Sequence, residues 1–545
     1  MKVVDAMAEI LKREGVEVIF GYPRNPILEA AAKRDIRTII VRQERTGVHM
    51  ADALGRVSSG ERIGVFTMQV GPGVENAFGG VAQAFADSVP LVVLPGGSDR
   101  EVANTRPNFS ALLNYQHITK WIEQPSLAAA VPNAMRRAFT QARNGRPGPT
   151  LIEVPRDIYN EEIPEPLNYA KTVRLRVAPD PGDVAKVAAA LVSAKRPVIY
   201  AGQGIHYSKA WSQLQAVAEL LGAPVFTSLA GKSAFDETHP LALGSGGLSF
   251  SKQLHHFLRQ SDLIFGVGCS FASTDFGIDM PPGKRIIHAT LDPVDFNKDI
   301  SAELGLLGDA GLALDLLKQE LKERLRAQSA ERFQAAAAEV KRIKGEWLTE
   351  WMPLLTSDAT PLSPYRIVWE LMQAVDRDNC IITHDSGNPR NQLVAFWESR
   401  NPLSYIGWGK STQLGYGLGL ALGAKLAHPE KLCINVWGDA AIGMTGMDLE
   451  TALRERLPIL SILFNNRTLA TEHQGLKVAT EKYRATDIGG DYTAFARSLG
   501  AWAEQVTDAK AVAPTIHRAI EQTREGTPAL IEFMTERSTR RSVYR

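Results

Sequence analysis

Asp439 and Asn466 are the two residues of this 545-residue chain whose types and spacing point most directly to chemistry. Asp439 follows an apolar run, Leu432 to Trp437, that stops at Gly438; Asn466 closes a second apolar run that opens at Pro458. An amphipathic stretch to Leu457 lies between them, so the pattern reads strand, helix, strand. This is a parallel βαβ unit, and both residues fall at carboxyl ends of strands, where open α/β sheets place their ligands. One hard anion and one amide oxygen beside a loop suit Mg²⁺, which takes few protein oxygens and completes its octahedron with phosphate and water. An ordinary strand end with an Asn-Asn turn would explain either half taken alone.

Four further segments carry residues of the same kind. Thr38-Ile-Ile-Val ends in Arg42-Gln43-Glu44, and the pattern predicts a helix over 46–59 closed by Gly60, which puts Glu44 at a carboxyl sheet edge. Gln69-Val-Gly-Pro-Gly-Val-Glu-Asn76 follows an apolar run and opens a helix, with Gly71 permitting close backbone approach. Cys380-Ile-Ile-Thr-His-Asp-Ser-Gly387-Asn388 is a strand ending in a glycine loop. Lys410-Ser-Thr-Gln-Leu414-Gly-Tyr-Gly-Leu-Gly is a glycine-dense helix start, and both suit backbone amides approaching a diphosphate.

Together these segments resemble thiamin diphosphate (ThDP) enzymes of the acetolactate synthase-like group. Gly438-Asp439-Ala440, followed after about thirty residues by Asn465-Asn466, is similar to the family's diphosphate motif. The resemblance implies that Asp439, Asn466 and the carbonyl of Thr468 hold Mg²⁺. Glu44-Arg-Thr-Gly-Val-His-Met-Ala is similar to the pyrimidine-domain signature that opens with the activating glutamate. That carboxylate would hydrogen-bond ring nitrogen N1′ and favour the imino tautomer that deprotonates thiazolium C2. Gly71 and Asn76 correspond to the Gly-Pro-Gly-x-x-Asn loop near the thiazolium, with Gln69 as a substrate contact. Gly387 and Asn388 fall at the cofactor, and Leu414 falls where a large apolar residue wedges between the cofactor rings. At Phe20-Gly-Tyr-Pro-Arg24 the chain departs from the family, with a long cation in place of a glycine.

The elements that must position these residues form three doubly wound parallel-sheet α/β domains: a pyrimidine-binding domain at 1–165, a nucleotide-binding-like middle domain at 184–325, and a diphosphate-binding domain with a basic tail at 360–545. Alternating apolar runs and helical patterns, such as Gly64-Val-Phe-Thr-Met and Pro197-Val-Ile-Tyr-Ala, support this reading. A Pro-rich stretch through Pro164, Pro166, Pro179 and Pro181 links the first two, and residues 309 to 350 read as a charge-laced helical connection. Family middle domains bind flavin in acetolactate synthase and an adenine nucleotide in the oxalyl-CoA and 2-hydroxyacyl-CoA branch. Asp292, at a strand end, is the candidate ribose contact. ADP or another adenine nucleotide is the expected ligand there and FAD is not, because no flavin signature is found. Gly202-Gln-Gly204 reads as a plain β-to-α turn.

A net charge of +1 argues against a nucleic-acid surface, and no apolar run approaches the roughly 18 residues that cross a bilayer. The amino terminus reads as an amphipathic helix, not a signal peptide. Cys269, Cys380 and Cys433 lack paired spacing and read as buried thiols, so a cytoplasmic location is expected. The family resemblance implies a homodimer at minimum and a homotetramer as the usual assembly.

On substrate, Gly96-Gly-Ser-Asp-Arg100 resembles a segment of the CoA branch and favours a 2-hydroxyacyl-CoA lyase, forming formyl-CoA and an aldehyde or ketone. An acetolactate synthase-like decarboxylase/carboligase is the alternative, and a non-catalytic subunit of the same fold is the reading of another class. Glu472, beside His473 just past the metal loop, is the candidate base for the substrate hydroxyl; an exposed loop glutamate is the competing explanation. The carboxyl end carries Arg537, Arg540, Arg541 and Arg545 among hydroxyls, a composition suited to phosphate contact. It is expected to be mobile when empty and to order over an acyl-CoA.

Overall fold

The structure, a computed structural model, describes residues 1–103, 105–325 and 328–544. Three separate sheets account for its strands, and every strand pairing within them is parallel. The first contains β1 (Val18–Tyr22), β2 (Arg37–Ile40), β3 (Gly64–Met68), β4 (Leu91–Gly97), β5 (Trp121–Glu123) and β6 (Pro149–Ile152) in the order β2-β1-β3-β4-β6-β5, with β7 (Val154–Pro155) on β4. Strand β3 is buried along its whole length, as a parallel strand covered by helices on both faces must be.

The second sheet runs β10-β9-β8-β11-β12-β13, built from β8 (Pro197–Ala201), β9 (Val225–Thr227), β10 (Ala242–Ser245), β11 (Leu263–Val267), β12 (Arg285–Thr290) and β13 (Leu304–Leu307). The third runs β14-β15-β16-β18-β17, from β14 (Cys380–His384), β15 (Leu432–Gly438), β16 (Leu460–Asn465), β17 (Trp502–Val506) and β18 (Ala529–Met534). The chain is thus the α/β protein of three doubly wound parallel sheets that its alternating pattern implies. Two helices, Ala310–Arg324 and Ser329–Leu355, connect the last two sheets.

Two helices differ from expectation. The one after β2 spans Glu44–Val57, because Gln43 takes the extended N-cap conformation and its carbonyl accepts the Gly47 N–H at 3.3 Å. Glu44 is therefore the first helical residue. The crossover after β15 is broken into Asp439–Thr445, a 3₁₀ turn at Gly446–Asp448, and Leu449–Arg454. The break frees Asp448, whose Oδ1 accepts the Arg42 backbone N–H at 2.7 Å and so ties this crossover to the end of β2.

The first and third sheets meet through the helices Glu44–Val57 and Tyr416–Ala427. A Cβ on Gly419 would lie 2.8 Å from the Thr46 carbonyl, and one on Gly423 would lie 2.3 Å from the Met50 carbonyl. These glycines let two helices touch backbone to backbone. The glycine-dense run thus serves helix packing, not a diphosphate: the amides of Gly415 and Gly417 both donate to Asp385, at 3.0 Å each.

Candidate active site

Asp439 begins its helix one residue beyond β15, and Asn466 stands one residue beyond β16; the register Gly438↔Phe464 sets the two strand ends side by side. The loop after β16 wraps the carboxylate. Asp439 Oδ2 accepts the N–H groups of Asn466 (3.1 Å) and Arg467 (2.8 Å), and Oδ1 accepts that of Ala440 (3.0 Å). Arg467 adopts φ +56°, a left-handed turn conformation uncommon outside glycine, and Asn466 Oδ1 accepts the Thr468 N–H at 3.1 Å. Burial pushes the Asp439 carboxyl up to about 6, against the pull of these amides. Thr468 is buried, with its hydroxyl donating to the Thr486 carbonyl at 3.1 Å. A carboxylate after β15 with an amide oxygen and a backbone carbonyl from the loop after β16 make a hard, oxygen-only donor set that fits Mg²⁺.

Around this loop lie the other residues expected at the cofactor. Gly387 has φ +80° and its Cβ position meets nothing within 4 Å, so its backbone faces open space. Asn388 follows, with Nδ2 donating to the Ser538 carbonyl at 3.3 Å. Gly438 lies against Pro389, its Cβ position 3.5 Å from the ring. Leu414 is half-buried, and its carbonyl accepts Arg45 Nη1 at 3.5 Å, while the preceding Gln413 meets His49 Nε2 at 3.0 Å. The segment before the Tyr416 helix is therefore held by the same helix that Glu44 opens.

Glu44 is buried, and desolvation raises its pKa, partly offset by Asn76, whose Nδ2 donates to Oε2 at 3.3 Å. Gly71 has φ +74° with open space at its Cβ position, and a Cβ on Gly73 would stand 3.4 Å from Glu44 Oε1. The Gly-Pro-Gly loop thus packs on the glutamate. Gln69 lies half-buried at the start of that loop, and Arg24 is exposed after β1.

The remaining expected site residues scatter. Glu472 is exposed on the short helix Ala470–His473, and His473 Nδ1 lies 3.3 Å from Thr486 Oγ1. The carboxyl segment packs against the rest of the chain as far as Tyr544. Ser542 is fully buried, accepts Trp347 Nε1 at 3.0 Å and donates to the Phe250 carbonyl at 2.7 Å, while Trp351 Nε1 donates to the Tyr544 hydroxyl at 3.3 Å. Arg537 Nε donates to the Asn466 carbonyl at 3.3 Å, but the Arg540 guanidinium lies over Trp351 at 4.9 Å and Arg541 is exposed. Arg545 lies outside the described residues.

Asp292 spends Oδ1 on the Val294 N–H at 3.0 Å and lines an open cleft of about 1210 Å³ with Tyr200, Gly268 and Asp309 of the middle segment, Arg146 of the first and Lys410 of the third. Burial pushes Lys410 down to about 8. Gly202 and Gly204 allow close backbone packing, since Cβ atoms there would lie 2.2 and 2.7 Å from Gly268, and Gly204 also lines the cleft.

Sequence reasoning missed three positioning groups. Asp385, fully buried and pushed up to about 6 by desolvation, holds Gly415 and Gly417. Asp448 joins the two sheets, and Arg56, between Asp52 (2.5 Å) and Asp87 (2.9 Å), also donates to the Gly407 carbonyl at 2.7 Å. Only the Asp52–Arg56 spacing of four residues on a helix was visible in the sequence.

The description "Thiamine pyrophosphate enzyme, N-terminal TPP binding domain" matches residues 1–124, the central domain of the same enzymes matches 184–317, and their C-terminal TPP binding domain matches 385–533. A probable acetolactate synthase large subunit of Methanocaldococcus jannaschii is 31% identical over 95% of this chain and 90% of its own. One from Methanococcus aeolicus is 30% identical over 99% and 93%. Glyoxylate carboligase of Escherichia coli O157:H7 is 28% identical over 99% and 94%. With a glutamate at the first sheet, an oxygen-donor loop at the third and matches across all three segments, the chain belongs to the thiamine pyrophosphate enzyme family, in its acetolactate synthase-like group.

Proposed function

We propose that the protein decarboxylates a 2-oxo acid and joins the product to a second carbonyl compound, using ThDP held through Mg²⁺ on Asp439, Asn466 and the Thr468 carbonyl. When bound, ThDP supplies the carbanion-stabilising thiazolium. Glu44 holds and returns the proton at the pyrimidine end, and its underfilled carboxylate, with Asn76 as its side-chain partner, is the observation that carries this assignment. Leu414 supports the bend of the cofactor, Gly71 and Gly387 leave backbone open to it, and Gln69 faces the substrate side.

The 2-oxo acid reading is favoured over the 2-hydroxyacyl-CoA lyase reading because several of the groups that suggested CoA, Asp99, Arg100 and Arg540, are engaged elsewhere. Arg100 pairs with Asp157 at 2.6 Å and with Glu161, and Asp99 pairs with Arg156 at 2.6 Å. Arg540 is stacked on Trp351. The names of the relatives, acetolactate synthase and glyoxylate carboligase, point the same way.

Glu472 is proposed as an accessory base at the mouth of the site, and Glu472→Gln should then lower the rate at least threefold; a smaller loss returns it to the exposed surface. The middle cleft is proposed to hold a nucleotide against Asp292, testable by mass spectrometry of denatured protein. A homodimer is proposed as the minimal assembly, supported by Phe78 and Phe85, exposed two turns apart on one helix, and by exposed Met444 and Met447 beside the Asp439 helix. The deciding experiment is a panel of pyruvate, glyoxylate, oxalyl-CoA and 2-hydroxyacyl-CoAs with product analysis. Turnover of a free 2-oxo acid is expected, and turnover of CoA thioesters alone would overturn the reading.

A further inference from the structure

Arg390 is 3% exposed, yet among the described residues its guanidinium makes no ion pair with a carboxylate. Its Nε donates to Asn391 Oδ1 at 2.9 Å, while Nη1 is buried without a hydrogen-bond partner among the described residues. The guanidinium sits in the corner of two near-perpendicular rings, 4.7 Å from Trp408 and 5.3 Å from Phe276. A buried cation with no anion is expensive, and aromatic faces offset only part of that cost.

Its surroundings repeat the pattern. The Tyr405 hydroxyl, His384 Nε2 and Trp408 Nε1 are each buried without a partner among the described residues, and His384 lies 5.5 Å from Tyr405 and 5.4 Å from Trp408, centroid to centroid. Native interiors leave few such groups unpaired; Arg390 Nη1, the Tyr405 hydroxyl and Trp408 Nε1 can each donate, while His384, whose Nδ1 donates to the Asp385 carbonyl at 3.3 Å, presents Nε2 as an acceptor. The cluster lies where the two cofactor segments of the third sheet come together: Arg390 is three residues past Gly387, and Trp408 is six before Leu414. Phe276, half-buried on the loop between β11 and β12, closes the outer face.

We propose that Arg390, with Trp408 and Tyr405 around it, receives the carboxylate of the 2-oxo acid and so selects free acids over thioesters and aldehydes. This rests on the 2-oxo acid reading above. A planar guanidinium pre-oriented against two rings matches a carboxylate edge to edge, and the missing negative charge arrives with the substrate.

The test uses the full chain with ThDP and Mg²⁺ bound, titrated by calorimetry and by tryptophan fluorescence, since Trp408 touches the proposed site. Wild type should bind pyruvate at least tenfold more tightly than its uncharged methyl ester, a comparison that needs no variant; equal affinities overturn the proposal. Arg390→Gln should raise Kd and KM for pyruvate or glyoxylate at least tenfold with little change for methyl pyruvate, and Arg390→Lys should recover part of the loss. ThDP affinity should be unchanged in both variants. A tenfold loss of ThDP affinity with 2-oxo acid binding intact would give Arg390 to the cofactor diphosphate and overturn the assignment. Equal turnover of 2-oxo acids by wild type and Arg390→Gln overturns the role of Arg390 and leaves the proposed function standing. Arg390-dependent binding of pyruvate without turnover supports the site and overturns the function alone, and wild type that binds neither acid overturns both.

Discussion

Glu44 and Asp439 hold equivalent places in two different sheets. Each follows a parallel strand, β2 or β15, and each is the first residue of the helix that comes next. Burial raises the pKa of both. Their surroundings then diverge: Asp439 is wrapped by three backbone amides from its own crossover and the next loop, whereas the side-chain partner of Glu44 is the single amide of Asn76. A carboxylate enclosed by backbone is fixed and suited to hold an ion, and one left with unfilled acceptors is free to exchange a proton. The roles proposed for these two acids, in one structural context, differ as their donors differ.

The largest expected effect breaks the Asp439 side. Asp439→Ala should reduce Mg²⁺-dependent ThDP affinity by at least about 100-fold, because the metal loses its carboxylate ligand there; calorimetry with and without Mg²⁺ measures it, and unchanged affinity would remove the metal role. Glu44→Gln should separate the two acids, lowering kcat about 100-fold or more while ThDP affinity stays within about threefold. A variant that loses cofactor and turnover together would make Glu44 a binding group like Asp439.

The contact that joins the two regions is the next to test. Gly423→Val should cost about 1–3 kcal/mol, since its first added carbon would lie 2.3 Å from the Met50 carbonyl. Urea unfolding reports the loss, and wild-type stability would mean that the two helices part easily.

The last effect is electrostatic. His49, buried beside Gln413 at that contact, is pushed down to about 3 by desolvation. Its folded pKa lies below the unfolded value, so unfolding takes up a proton, and stability falls as pH drops below about 6.5, at about 1.4 kcal/mol per unit toward pH 3. Comparing the pH slopes of wild type and His49→Gln cancels the raised carboxylates at Asp385 and Asp439, which act in the opposite sense. Identical slopes between pH 4 and 6 would contradict a neutral His49.

Much of the Asp439 loop was legible in the sequence because it is local: a strand, a crossover and a second strand separated by twenty-seven residues fix where both side chains emerge. The three parallel sheets were legible for the same reason, from apolar runs such as Gly64–Met68 and Pro197–Ala201 whose residues are buried on both faces. Short strands such as Trp121–Glu123 and Leu304–Leu307 were not, since three or four half-buried residues carry little pattern.

The sequence by itself determined the type of fold and which acids stand at strand ends, since strand periodicity and turn chemistry act over a few residues. Tertiary structure alone decided the partners. The glycines after Leu414 proved to be a contact with the Glu44 helix, the carboxyl tail proved to be anchored through Ser542, and Arg390 proved to be a buried cation without a counterion among the described residues. Those outcomes depend on side chains brought together from positions far apart in the chain, and whether a buried charge is satisfied is a property of what surrounds it, which no short stretch of sequence encodes.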